Sequence, residues 1–185
     1  MTDRDYGMAR GKVFPAAQAK SLLNPLRRLL QSPARTVAVL DVATDATVLE
    51  LGSGPGWFSP HLAGLVPDGA LLVADLQPAM LVLARERVRA AGFVGADAMA
   101  LPLASDRLDG AFVATMLGEV PDRDVCIGVV RRVLRRGGIL AVAETRRDSD
   151  FIPLDDLRAL VERHGFAFDR SSGIRWQYVA RFRAV

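Results

Sequence analysis

Five residues between a short aliphatic run and a helical one carry the densest chemical signal in the chain. Gly52-Ser53-Gly54-Pro55-Gly56 follows Val48-Leu49-Glu50-Leu51 and leads into Trp57-Phe58-Ser59-Pro60-His61-Leu62. Strand, glycine loop and helix in that order let backbone amides come close to a ligand, because glycine adopts positive φ at no steric cost, and the helix N-terminus that follows favours a carboxylate or phosphate. Taken alone, such a loop is also what any tight βα turn looks like. Two acids extend the signal. Asp75 ends the second aliphatic run, 23 positions after Gly52, where a carboxylate can accept from both hydroxyls of a ribose. Asp97, in Gly95-Ala96-Asp97-Ala98, follows the third run. Either could cap a helix or close a turn, as aspartate often does, but their joint spacing disfavours that reading. Glu50 lies inside the first run, where a buried carboxylate is costly without partners, so it is expected to accept from loop amides or through water.

Other reactive side chains narrow the chemistry by their scarcity. His61 and His164 are the only histidines and are far apart, and Cys126 is the only cysteine. An intrachain disulfide, a cysteine-based zinc cluster and a Ser/His/Asp triad therefore lack material, and no metal is expected. Cys126 reads as a small buried apolar residue, and His164 as a cap at a helix end. For a general base the candidates are His61, Glu119 and Glu144, each with an ordinary surface or capping role open to it, so no catalytic residue is assigned.

Dinucleotide enzymes use G-x-G-x-x-G, whose last small residue lets helix and strand pack closely. Here the corresponding place is Trp57, which argues against NAD. The G-x-G-x-G spacing instead resembles the first motif of class I, Rossmann-like, S-adenosylmethionine-dependent methyltransferases. The resemblance continues through Asp75-Leu76, Asp97-Ala98, Leu101-Pro102-Leu103, Asp106 to Val113 and Arg132 to Gly138, the last implying a helix and a turn before the fifth strand, and it covers roughly residues 45 to 145. It is similar in particular to the type 11, quinone-methyltransferase-like members. The resemblance implies S-adenosylmethionine as cofactor, held by Glu50, Gly52, Ser53, Gly54, Gly56, Asp75, Leu76, Asp97, Ala98 and Thr115, with Leu76 covering an adenine face and Asp97 accepting from the adenine amino group. It implies a small-molecule acceptor, methylated by in-line displacement. Where many of those enzymes place a His-containing stretch after the fourth strand, this chain has Thr115-Met116-Leu117-Gly118-Glu119-Val120. That stretch lacks the Asp/Asn-Pro-Pro-aromatic motif of exocyclic-amine methylation, and Cys126 lies in a helical run away from cytosine chemistry. An RNA (ribose or base) methyltransferase and a cofactor-binding, non-catalytic regulatory protein are the alternatives.

These residues need a scaffold, and the remaining pattern supplies one. Half of the 185 residues are apolar and 24% are charged, the balance of a globular chain. Short aliphatic runs alternate with helical stretches from Thr47 onward, which predicts an α/β fold, doubly wound around a mostly parallel seven-stranded sheet. Strands are expected at Val48–Leu51, Leu71–Ala74, Phe93–Gly95, Gly110–Ala114 and Ile139–Ala143. Pro78 opens a helix that Gly92 closes, and Pro153 opens one that stops at His164-Gly165. Ala167–Ser171 and Gln177–Arg183, with Gly173 as a break, predict a C-terminal hairpin. One domain is expected over 1–185, with 1–44 a helical cap and 45–185 the core. Leu22, Leu23, Leu26, Leu29 and Leu30 carry the cap's helical spacing, and Phe14, Leu22, Asn24 and Arg27 are expected to wall an acceptor pocket. The net charge of +3 is spread over separate arginine groups, read mostly as solvated helix faces, so nucleic acid is not favoured as a partner. No apolar run is long enough to span a bilayer and the start, Met1-Thr2-Asp3-Arg4-Asp5, does not look like a signal peptide, so a cytoplasmic location is expected.

Overall fold

Aliphatic runs without a polar side are satisfied only where both faces of a strand are covered. A computed structural model describes residues 32–146 and 150–185, with Pro15, Ala19 and Leu23 before them. In it every such run becomes a parallel strand: β1 (Thr47–Leu51), β2 (Ala70–Asp75), β3 (Gly92–Gly95), β4 (Leu108–Ala114) and β5 (Leu134–Thr145). The hairpin β6 (Phe166–Ile174) and β7 (Gln177–Ala184) completes a seven-stranded sheet of order β3-β2-β1-β4-β5-β7-β6, in which β7 runs antiparallel to both neighbours. The helices are α1 (Pro33–Val37, continued as a 3₁₀ turn Ala38–Leu40), α2 (Ser59–Leu65), α3 (Pro78–Arg87), α4 (Arg123–Val133) and α5 (Leu154–Glu162).

Alternation along the strands divides the core into two layers. Leu49, Leu51, Ala111, Val113, Leu140 and Val142 pack with Ile127 and Val130 of α4 and Leu157 and Val161 of α5. Val48, Val73, Phe112, Ala141 and Ala143 pack with Val37, Leu40, Phe58, Leu62 and Ala84 on the other side. Phe58 meets Phe112 edge-on at 5.1 Å between ring centroids, a geometry that adds about 1 kcal/mol to the area buried. Cys126 is buried, as its type suggests, and burial pushes its thiol up to about 12.

Several boundaries differ from the sequence reading. The helix opened by Pro78 ends at Arg87, because Val88 is already extended, and Gly92 begins β3 instead of closing the helix. Strand β5 begins at Leu134, five residues early: Leu108 pairs with Leu134 and Gly110 with Ile139, so Arg135 to Gly138 form a bulge where a turn was expected. Gly173 does not break β6 but pairs with Tyr178 at φ 110, and the hairpin turns at Arg175-Trp176. The arginines are also less idle than solvated faces. Arg132 donates to the Leu103 and Leu101 carbonyls at 2.6 and 2.8 Å, and Arg131 to Gly165 at 3.1 Å. Arg181, 3% exposed, donates to the Leu40 carbonyl at 3.2 Å and pairs with Asp169. His164 pairs with Asp124 of α4 at 2.7 Å, beside the Arg163 fork, tying α5 to the start of α4; these two donors, Arg163 first, hold the Asp124 carboxyl well below the usual range.

Most of the expected cap, including Phe14, Leu22, Asn24 and Arg27, lies outside the described residues. Of its described part, α1 packs against α2 and the 3₁₀ turn against β4, β5 and β7, with Val37 and Leu40 buried in the core. Among the described residues no helix is long and apolar enough to cross a membrane.

Candidate functional site

Register brings the chemistry to one edge. Leu51 pairs with Ala74 and with Val113, Asp75 with Gly95, and Ala114 with Ala143, so the loops after β1 to β4 all leave the sheet at its C-terminal end. Between β1 and β4 the order reverses, since the chain runs from β1 outward to β3 and then crosses back to β4. Such a switch point opens a crevice. The cleft there is lined by Gly52, Ser53, Gly54 and Pro55, by Trp57 and Phe58, by Asp75, Leu76, Gln77 and Met80, by Ala96, Asp97 and Ala98, and by Thr115, Met116, Glu119 and Val120.

The glycine loop serves the cleft by shape. Gly52, Gly54 and Gly56 have φ of 70, 52 and 78°, where a side chain is strained. A Cβ on Gly52 would lie 2.4 Å from the Met116 side chain, and one on Gly56 2.9 Å from the Ala84 backbone of α3. The loop's amides do not face a ligand as its composition suggests. Those of Gly52 and Ser53 donate to the Ala74 carbonyl, that of Gly56 to Ser53, and that of Gly54 to Asp75 Oδ2 at 2.8 Å. With Pro55 lacking an amide, these positions offer no nest to a pyrophosphate.

Asp75 is buried at the end of β2, its Oδ1 accepting from the Gln77 amide at 2.9 Å. Burial pushes its carboxyl up, against the amides of Gln77 and Gly54. Each oxygen keeps further lone pairs. Leu76 beside it is left 40% exposed, an apolar surface at the cleft. Asp97 makes an Asx turn, accepting from the Met99 amide at 2.8 Å, so its bland role and its place in the cleft coexist. Thr115 sits at φ 49, where a β-branched residue costs about 1 to 3 kcal/mol. Its amide donates to Ala143 at 2.9 Å, holding this strained corner at the end of β4.

Of the ten residues expected at the cofactor, Glu50 and Gly56 do not line the cleft. Gly56 stands behind the loop against α3, where Arg87 donates to its carbonyl at 2.9 Å. Glu50, 2% exposed, accepts from the Ser59 hydroxyl at 2.5 Å, where loop amides or water were expected. Burial pushes its carboxyl up to about 8, Asp75 adding and Ser59 opposing. It braces β1 to the start of α2. Among the three candidate bases Glu119 lines the cleft, whereas His61 on α2 and Glu144, buried at the end of β5 near the Ile152 amide, do not. Sequence reasoning missed Trp57, Phe58, Gln77, Met80, Met116 and Val120 as lining. Adjacency to the loop could have found the first two; Met80 enters only because α3 folds back over the edge.

The described lining residues include three carboxylates, Asp75, Asp97 and Glu119, and no lysine, arginine or histidine. A diphosphate would find no countercharge among them. Hydroxyl and amine donors and a cationic centre would.

A family model described as a methyltransferase domain matches residues 49–142. Among curated proteins, the chain is similar to a ubiquinone/menaquinone biosynthesis C-methyltransferase of Pasteurella multocida, 36% identical over 104 residues, covering 52% of this chain and 39% of that one. It is also similar to the Hahella chejuensis protein of the same name, 34% identical, covering 78% and 61% respectively. The chain thus spans only about two to three fifths of these relatives' length. A SAM-dependent methyltransferase structure from Aquifex aeolicus superposes with TM-score 0.85 at 20% identity, covering 94% of this chain and all of that one. The [4+2]-cyclase SpnF superposes at TM-score 0.68 and 18% identity, covering 82% and 80%, so the fold alone does not decide the reaction.

Proposed function

Because the chain belongs to the methyltransferase-domain family, matched over residues 49–142, we propose that it transfers a methyl group from S-adenosylmethionine to a small-molecule acceptor at the cleft. The observation that carries this reading is the acceptor set: three carboxylates and no cation among the described lining residues, beside an apolar wall of Leu76, Met80 and Met116. When bound, S-adenosylmethionine supplies a methyl group on a sulfonium, whose departure as a neutral thioether drives the displacement. Asp75, already braced by the Gly54 and Gln77 amides, would accept from the ribose hydroxyls with its remaining lone pairs. Asp97 would accept from the adenine amino group, while Leu76 covers one face of the base. Gly52, Ser53 and Gly54 would let the ligand approach the backbone, with Ala98 at the base and the strained Thr115 at the far wall. Gly56 and Glu50 would act from behind, by setting the loop against α3 and α2.

In-line displacement from a sulfonium asks the protein chiefly for alignment and exclusion of water, worth several kcal/mol without a dedicated base. The relatives named for C-methylation in quinone biosynthesis support a small organic acceptor over a nucleic acid. The test uses methyl-labelled S-adenosylmethionine with metabolite, lipid and RNA pools. Label in a small-molecule fraction is expected; label confined to RNA, or in no fraction although the cofactor binds, would overturn the reading.

A further inference from the structure

We propose that Glu119 makes the β4 end of the cleft selective for charge, favouring the sulfonium donor over the neutral thioether that transfer leaves behind. This rests on the reading of the cleft as an S-adenosylmethionine site. Strand order gives the direction: along the edge, Asp97 follows β3, Asp75 ends β2, the glycine loop follows β1, and Glu119 follows β4. A nucleoside held by Asp97 and Asp75 sends its 5′ substituent past β1 toward β4, so its charged sulfur comes to the end where Glu119 stands.

The position of Glu119 is built rather than incidental. Its amide donates to the Met116 carbonyl at 2.9 Å, and Arg123 donates to the Gly118 carbonyl at 3.1 Å. A Cβ on Gly118 would lie 2.3 Å from the Asp150 carbonyl, so the segment after β5 backs this loop directly. Asp150 adds a second carboxylate behind Gly118, and the Arg123 guanidinium opposes it from outside the lining. In the reaction the carbon–sulfur bond breaks and its electron pair stays on sulfur as the acceptor atom bonds the methyl carbon. The positive charge thus leaves the sulfur and passes to the methylated acceptor, or out with its proton. A carboxylate within several ångströms loses its attraction for the thioether at that step, which weakens product retention.

A carboxylate–sulfonium separation of roughly 5 Å with near-aqueous screening would correspond to about a three- to tenfold preference for the charged ligand. Calorimetric titrations of the wild type and Glu119→Gln with S-adenosylmethionine and S-adenosylhomocysteine test it. The variant is expected to lose about three- to tenfold in its preference for the sulfonium while binding the thioether within about twofold of the wild type. An unchanged ratio, or equal weakening of both ligands, would overturn the proposal. Raising salt to about 0.5 M should shrink the wild-type ratio by screening, and a salt-independent ratio overturns it whether or not the variant folds. If the wild type binds neither ligand, the methyltransferase reading falls with it, an outcome distinct from binding without discrimination.

Discussion

Glu50→Gln should remove much of the protein's pH sensitivity near neutrality. Glu50 is buried in β1, accepting from the Ser59 hydroxyl at 2.5 Å, and burial raises its carboxyl from 4.5 to about 8. The native state therefore keeps a proton that the unfolded chain releases near 4.5. Between those two values the native state binds more protons than the unfolded state, so stability falls as pH rises, by up to about 1.4 kcal/mol per pH unit. Across pH 5 to 8 this group alone would remove on the order of 4 kcal/mol, a large part of a typical domain's stability. Asp75, also raised by burial, contributes in the same sense, whereas the lowered Asp124 carboxyl adds stability above its unfolded value and loses it only in acid. Glutamine keeps the shape and an acceptor for Ser59 but carries no charge at any pH. Urea midpoints from pH 5 to 9 should slope downward in the wild type and be much flatter in the variant, the residual slope belonging to Asp75. At pH 9 the variant should be the more stable by a few kcal/mol. Superimposed curves, or wild-type stability that rises across this range, would refute the assignment of a buried, proton-holding Glu50.

Asp75→Ala should weaken S-adenosylmethionine binding by about 1 to 3 kcal/mol and also lower stability by a similar amount, because the Gly54 and Gln77 amides lose their acceptor. Calorimetry and denaturation separate the two, and unchanged affinity in a folded variant would leave Asp75 as a loop brace only. Gly56→Ala combines left-handed strain at φ 78 with a Cβ 2.9 Å from Ala84, a cost of about 2 to 5 kcal/mol in thermal unfolding; a loss below about 0.5 kcal/mol would mean the loop yields. Chelation should leave methyl transfer intact, as among the described residues no cluster of three or more His, Cys, Asp or Glu is placed to hold a metal. Activity lost on chelation and restored by magnesium would contradict this.

What was legible depended on whether a signal was local. The five aliphatic runs announced a parallel sheet because burial on both faces leaves no polar alternation, and Val48–Leu51 and Leu71–Ala74 fall inside β1 and β2. The Arg135-Arg136-Gly137-Gly138 stretch misled because glycine marks turns and bulges alike, and only pairing with Leu108 and Gly110 distinguishes them. Gly173 misled for the same reason: its φ of 110 is spent inside β6. At the site, acids at strand ends could be read from spacing because strand ends are where a parallel sheet puts its ligands. The direction of a side chain could not be read so. Glu50 alternates away from the cleft onto Ser59, Gly56 meets α3, and Met80 reaches the lining through a helix whose packing no short window contains. Of the arginines read as solvated, Arg131 and Arg132 are bound to carbonyls across 29 or more positions of sequence, a long-range contact with no local mark.

Under the proposed function, the cleft at the ends of β1 to β4 binds S-adenosylmethionine and not a dinucleotide. Calorimetric titration of the wild-type protein with S-adenosylmethionine, S-adenosylhomocysteine and NAD, repeated with Asp75→Ala, measures it most directly. Saturable binding of both sulfur nucleosides, weakened by the substitution, with no heat from NAD, is the result predicted; tight NAD binding with no response to either sulfur nucleoside would contradict it.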